Sequence, residues 1–475
     1  MRRCLLSALT AGCRFAACLF VASSAVCAQA AAKPAALFTD NMVLQRDIPA
    51  PVWGTADNGE HVTVSIQGQK MEATAAEGRW RVNLKPLTAG GPFTLTIESP
   101  TSKTELHNVL VGEVWIASGQ SNMEMAVQNT ADGPKHVANS ANPQIRLYTV
   151  PRHGAKTPQA DVVGRWEECG PKSVGGFSAV AYFFGQALEQ QLHVPVGLIN
   201  TNVGGTTAER WMSKESLDAV PQLKAMPKGQ GANDLYNAMI HPLIPYGIRG
   251  AIWYQGESNA GVAWHYRTLF PAMIKDWREE WKEGDFPFLF VQLAPFMPIN
   301  HEPMDSQWAE LRDAQLHTML TVPNTGMAVI TDVGDEKDIH PKRKQPVGQR
   351  LALAARALGL GEKIEYSGPI FDRLDIKGSE AIVHFKHAGS GLAAKGDKLT
   401  GFTIAGADRK FHNAEARIEG DEVIVSSPQV PQPVAVRFGW ANHPVVNLWN
   451  NEGLPASPFR SDDFPLTTQP KEAGK

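Results

Sequence analysis

The spacing of apolar positions divides the chain into three stretches of different character. Over residues 37–108 short runs alternate between turns: Pro51-Val52-Trp53-Gly54, His61 to Ile66 and Phe93 to Ile97, separated by Asp57-Asn58-Gly59 and Ala89-Gly90-Gly91-Pro92. A period of two bounded by Gly, Pro, Asn and Asp predicts half-exposed β-strands. Roughly seventy residues is little for an independent core, so the stretch predicts a portion of a β-sandwich.

Over residues 109–361 the pattern changes to near-continuous apolar runs alternating with helical ones. Val114 to Ala117, Val194 to Asn200, Gly250 to Tyr254, Phe288 to Val291 and Met327 to Ile330 predict strands buried on both faces. Ala179 to Leu192, Tyr266 to Trp281, Gln307 to Leu320 and Gln345 to Leu358 predict helices, the last with Val347, Leu351 and Ala354 on one face. Sequential β-α units predict a doubly wound α/β domain with its active loops at the strand C-termini. Over residues 362–468 short strands return at Ala381 to Phe385, Glu422 to Val425 and Val434 to Phe438. Two undersized β portions at opposite ends predict one sandwich built from both; two separate modules are the alternative.

Residues 1–30 differ again. Met1-Arg2-Arg3 is a basic start, an apolar stretch broken by Arg14 runs to Val26, and Ala28-Gln29-Ala30 is a small-residue cleavage site. This predicts a cleaved signal peptide and an exported, periplasmic or secreted protein, with no lipid anchor at Cys27 and no membrane anchor afterwards. Removing Arg2, Arg3 and Arg14 leaves Lys+Arg 45 − 3 = 42 against Asp+Glu 48, a net charge of −6. No basic field remains to hold nucleic acid. Of 5 cysteines only Cys169 lies outside the leader, which excludes an internal disulfide. Without a supporting motif, Cys169 reads as a buried structural thiol rather than a nucleophile.

The strand Val114 to Ala117 breaks at Ser118-Gly119 and is followed by Gln120-Ser121-Asn122. A strand, a glycine turn and a helix start would lift Ser121 above the sheet edge as a nucleophile; alternatively Ser121 simply caps that helix. A serine hydroxyl needs a base, and His340 is suitably placed in Asp332 to Pro341, a polar loop after a strand. Asp338 or a neighbouring acid would orient its imidazole. Oxyanion donors would come from two further strand ends: Gly204-Gly205, where the backbone can approach a substrate, and Tyr254-Gln255-Gly256-Glu257-Ser258-Asn259 with its amides. A hydroxyl–imidazole pair with such donors covers both charge and proton transfer, so no metal or cofactor is expected.

Gly-Gln-Ser-Asn, Gly-Gly-Thr, Trp-Tyr-Gln-Gly-Glu-Ser-Asn and Asp-Ile-His-Pro, in that order, resemble the blocks of the SGNH hydrolase superfamily. More closely they resemble the sialate O-acetylesterase-like carbohydrate esterases, as do Asn41 to Gln45, Leu235 to Pro242 and Asn450 to Pro455. The resemblance runs from Leu37 to Phe464. It implies a three-layer α/β/α domain with a parallel sheet, an associated jelly-roll-like β-sandwich from the N- and C-terminal segments, and removal of acetyl groups from sugar hydroxyls. It gives Ser121 as nucleophile, His340 as base and Asp338 as orienting acid, with Asp335, Glu336 or a backbone carbonyl as rivals. The superfamily's usual acid position, three residues before the histidine, is Lys337 here. The oxyanion hole would be the N–H groups of Ser121, Gly204 and Gly205 with the side chain of Gln255, or Asn259 second. Asn122, Glu257 and Asn259 would support the site, Glu257 by bracing the Ser121 loop, and Trp211 and Asn237 would line it.

The expected partner is an acetylated carbohydrate, with plant-wall xylan or xyloglucan ahead of sialic acid. A sugar-binding protein with a degenerate catalytic site is the reading from another class, and the intact Ser121 and His340 speak against it. No long apolar stretch suggests a lipase lid.

Overall fold

The computed structural model describes residues 31–471 apart from 225 and 228, so the expected leader lies outside the described residues. The organising element is β1 (Ser102–Gly119), a strand of 18 residues whose second half is buried throughout. Its first half pairs antiparallel with Gly90–Ser99; its second half lies between parallel strands. The boundary expected near residue 109 therefore falls inside a strand: Val43–Gln45, His61–Ile66, Gln69–Thr74 and Gly90–Ser99 are hydrogen-bonded into the same sheet as the catalytic region, while Ala50–Thr55 and Arg79–Leu84 belong to a separate three-stranded sheet.

Beyond β1 the catalytic sheet takes β2 (Asn142–Thr149), β3 (Trp166–Cys169), β4 (Val196–Asn202), β5 (Gly250–Tyr254), β6 (Phe288–Val291) and β7 (Thr325–Ala328). Their order is β3-β2-β4-β1-β5-β6-β7, all parallel except the edge strand β3. Side chains along a strand alternate between faces, and the two cores follow that alternation. Trp115, Ala117, Ile252, Tyr254, Leu289 and Val291 pack with α2 (Ala179–Leu192) and α5 (Gln345–Ala354). Val114, Ile116, Ala251, Trp253, Phe288 and Phe290 pack with α3 (Ala263–Trp281) on the other face, where α3 also lies against α4 (Gln307–Thr321). This is the α/β/α layering. The chain leaves β1 toward β2 and β4 on one side and β5 to β7 on the other, so β1 ends at the crevice where open α/β sheets bind ligands.

The two β segments do not share a sheet. Among the described residues the N-terminal strands pair with one another and with β1. The C-terminal strands form two four-stranded antiparallel sheets and one two-stranded sheet of their own. Each end carries its own hairpins, such as His61–Ile66 with Gln69–Thr74 and Ile370–Lys377 with Glu380–Lys386, so each satisfies its backbone locally. The C-terminal sheets are clamped to the catalytic layer by Arg312 on α4. This fully buried guanidinium donates to the carbonyls of Leu293, Ala294, Ala441 and Asn442 at 2.7–3.1 Å. Glu310 adds both hydroxyls and both amides of Thr467 and Thr468.

Candidate active site

β1 ends at Gly119, which faces Asn202 at the end of β4 and Tyr254 at the end of β5. Gly119 has φ +136°, and a Cβ there would lie 2.2 Å from the Tyr254 carbonyl oxygen. Only glycine fits this close approach. The turn it permits delivers Ser121 to the first position of α1 (Ser121–Glu124), a single helical turn whose N-cap is Gln120 and not the serine. Ser121 is half-buried, and its Oγ lies 2.8 Å from His340 Nε2.

His340 sits in the loop after β7. Asp335 Oδ1 accepts the N–H groups of Lys337 and Asp338 at 2.8 and 3.1 Å, so this rival acid shapes the loop instead of holding the imidazole. Asp338 Oδ1 accepts the backbone N–H of His340 at 2.8 Å and stands 3.6 Å from Nδ1. That is an ion-pair distance, too long for a hydrogen bond to the ring. Burial lowers the His340 pKa; Asp338 and Glu124 work against that and Lys344 with it. The imidazole is thus neutral near neutral pH and free to take a proton.

The oxyanion donors divide. The amides of Ser121 and Gly205 have no acceptor among the described residues, and Gly205 has φ +71°. The Gly204 amide is already taken, donating to Glu124 Oε2 at 2.5 Å, which removes it as a free donor. Gly204 nevertheless lies against Ser121: a Cβ there would come 3.3 Å from Ser121 Cβ. Glu124 also pairs with Arg152 at 3.1 Å, and Arg152 donates to the Asn202 carbonyl.

Gln255 is not turned toward the serine, which corrects its assignment as side-chain donor. It is fully buried; Nε2 donates to the Thr206 carbonyl and to Asn259 Oδ1 at 3.1 and 2.7 Å, and Oε1 accepts the Tyr266 hydroxyl. Both amide protons are spent on holding the Gly-Gly-Thr loop. Asn259 is committed likewise, accepting from the Ala208 amide and donating to Glu209. Trp211 and Asn237 are corrected as lining residues. Trp211 is fully buried with its indole N–H on Thr206 Oγ1, and the Asn237 amide is bound to the Ala155 carbonyl.

Asn122 and Glu257 meet as expected: Asn122 Nδ2 donates to Glu257 Oε1 at 2.6 Å and to the Ile339 carbonyl at 3.0 Å. Glu257 lies deep, and burial raises its pKa. The sequence reading missed Glu124, Arg152 and Lys344. Glu124 was visible in Met123-Glu124-Met125, directly behind Ser121 and Asn122. Lys344 follows His340 by one helical turn and reads as a solvated lysine, yet its ammonium is buried and donates to Asn122 Oδ1. Cys169 is buried and its thiol is pushed up to about 12, so it stays protonated. Among the described residues no group of three or more His, Cys, Asp or Glu side chains is gathered as a metal site requires.

Residues 111–357 match the family model of the carbohydrate esterases described as sialic acid-specific acetylesterase. The chain is 34% identical over 399 residues to the sialate O-acetylesterase of Homo sapiens, covering 74% of this chain and 76% of that protein. It is 30% identical over 504 residues to the mouse (Mus musculus) sialate O-acetylesterase, covering 89% and 93%. The fold is similar to that of a carbohydrate acetylesterase from Xanthomonas citri, with a TM-score of 0.86 and 43% identity over 91% of this chain and 100% of that one.

Proposed function

The chain belongs to the sialic acid-specific acetylesterase family of carbohydrate esterases, and from that premise we propose a serine esterase that deacetylates neutral, plant-wall-type carbohydrate such as xylan or xyloglucan. The observation that carries the chemistry is the 2.8 Å contact between Ser121 Oγ and His340 Nε2. Ser121 Oγ attacks the acetyl carbonyl carbon while His340 takes the hydroxyl proton. The carbonyl oxygen becomes an oxyanion held by the N–H groups of Ser121 and Gly205. The intermediate collapses, the C–O bond to the sugar breaks, and His340 returns the proton to the departing sugar oxygen. His340 then takes a proton from water as its oxygen attacks the acetyl-serine; the second intermediate collapses, the bond to Ser121 Oγ breaks, His340 returns the proton to Oγ, and acetate leaves.

The preference for a neutral sugar is supported by charge. Glu124 and Asp338 flank the serine–histidine pair, and the Arg152 guanidinium near them is paired with Glu124. The Glu124–Arg152 pair cancels and Asp338 is left, so a carboxylated sugar would meet a net negative charge, which disfavours it. The second reading, a sialate O-acetylesterase, is favoured by the 34% identity to the human enzyme. Export through the leader over residues 1–30 is part of the same proposal.

The test is acetate release from acetylated xylan, acetylated xyloglucan and O-acetylated sialic acid, with Ser121→Ala alongside. The expected result is release from the neutral polymers, with Ser121→Ala folded and slower by several orders of magnitude, ~10⁴-fold or more. Wild-type activity in Ser121→Ala overturns the mechanism. Release from sialic acid alone overturns the substrate class.

A further inference from the structure

Asn122 is where three active-site loops meet. Its Nδ2 reaches Glu257 in the loop after β5 and the carbonyl of Ile339, the residue before His340. Its Oδ1 accepts from Lys344, at the start of α5. The carboxamide has one acceptor end and one donor end, and with an ammonium at the first and two acceptors at the second only one orientation satisfies all three.

Lys344 is a costly way to secure that orientation. It is 1% exposed, hydrogen-bonds an amide in place of a carboxylate, and sits 5.0 Å from the centroid of the Tyr254 ring. Burial lowers its pKa to about 7, with Glu257 and Asp338 opposing the shift. An apolar side chain of the same length would fill the space without a buried charge. It would also leave the Asn122 oxygen unpaired and the carboxamide free to turn. The bond from Asn122 to Ile339 would then loosen, and with it the spacing between the residue beside the nucleophile and the backbone of the base.

We infer that Lys344 is a positioning residue for the acetyl transfer proposed above, locking the Asn122 carboxamide so that the Ser121 turn and the His340 loop keep their hydrogen-bonded separation. The inference rests on the serine-esterase reading. Lys344 also acts on the base through charge. Below neutrality it is protonated, and its positive charge opposes protonation of His340. The charged groups facing this cluster are Glu257 from the β5 loop, Asp338 from the His340 loop and Glu124 from the nucleophile turn. The Tyr254 hydroxyl is buried without a partner.

The experiment measures kcat, KM and the pH dependence of kcat/KM on an aryl acetate for the wild type, Ser121→Ala and Lys344→Met, with thermal unfolding of each. Lys344→Met is expected to fold with a lowered unfolding temperature, since the Asn122 oxygen loses its donor and Glu257 its facing cation, and to lose ~10²-fold in kcat, the cost of about an ångström of misplacement. KM should stay within about twofold. Removing a cation near the imidazole makes His340 easier to protonate, so the acid limb of the profile should move to higher pH. Lys344→Gln, which keeps a donor to Asn122 but no charge, should shift the limb with a smaller loss of kcat. A folded Lys344→Met with wild-type kcat and an unmoved limb overturns the inference. So does failure of both variants to fold, which would make Lys344 a folding requirement. An inactive wild type or an active Ser121→Ala would overturn the esterase reading itself, a distinguishable result.

Discussion

Asp338→Asn separates charge from shape at the base. The asparagine Oδ1 can still accept the His340 backbone N–H now bound at 2.8 Å, so the loop keeps its form while the carboxylate charge is lost. At the 3.6 Å separation from Nδ1, Coulomb's law gives about 1 kcal/mol in water and about 5 kcal/mol at an effective dielectric near 20. The side chains of His340 and Asp338 are 37% and 45% exposed, so solvent screening holds the value toward the low end, about 1–2 kcal/mol. At 1.36 kcal/mol per tenfold, that is a loss of ~5- to 30-fold in kcat/KM, well short of the ~10⁴ for a buried triad acid. The sign on the pH axis follows from the same charge. Asp338 stabilises the imidazolium, so its loss lowers the His340 pKa, and the acid limb should move to lower pH. Lys344→Met moves the same limb the other way. The assay is the pH profile of kcat/KM on an aryl acetate, after equal thermal stability is confirmed. A loss of 10³-fold or more would refute the reasoning, because a direct Asp338–Nδ1 hydrogen bond would then have to form during catalysis. An unmoved limb with full activity would refute it from the other side and leave the imidazole oriented by its packing alone.

Gln255→Leu should behave as a structural lesion. Losing its bonds to Thr206, Asn259 and Tyr266 should cost about 1–3 kcal/mol of stability by thermal unfolding, with kcat falling less than ~10-fold; a stable variant with a 10²–10³-fold drop would restore Gln255 as an oxyanion donor. The exported protein should begin near Ala31, read by N-terminal sequencing, and an intact Met1 on exported material would remove the leader.

The buried centre of the fold was legible because its strands are apolar on both faces. The helix expected at 179–192 lies at Ala179–Leu192, and the strand expected at 250–254 is β5. What escaped was one edge of the sheet, β2 and β3. β2 contains Pro143, Gln144 and Arg146 and does not read as a buried strand, yet its Arg146 is buried, with the guanidinium spent on Pro143, Asn41 and Asn108. β3 is Trp166-Glu167-Glu168-Cys169, an antiparallel edge with two glutamates where a central strand would carry apolar residues. A charge satisfied by backbone carbonyls is indistinguishable in sequence from a charge in water. The partners of the terminal strands were hidden for a related reason, since size alone says that a small β portion needs company but not whose.

The site divides along the same line. Ser121 and His340 were legible because each follows a strand end; β5 and β6 stand between those two strands, and the loop after β7 carries His340 back across them to Ser121. The direction of the amides around them was not. Gln255 follows Tyr254, whose ring faces the α2–α5 core, and precedes Gly256, where φ is +155° and a Cβ would strike Leu311 at 2.4 Å. That local path aims the Gln255 side chain at Tyr266 and Asn259 instead of the nucleophile, and nothing in Trp-Tyr-Gln-Gly-Glu encodes it. The charges around His340 follow the same rule. Asp338 and Lys344 lie two and four residues from the histidine, and spacing alone treats them as equivalent solvated groups. Asp338 is left half in water and Lys344 is enclosed entirely. Even so, Asp338 at 3.6 Å has the larger effect on the imidazole, and the enclosed Lys344, which the sequence passed over, comes next with the opposite sign.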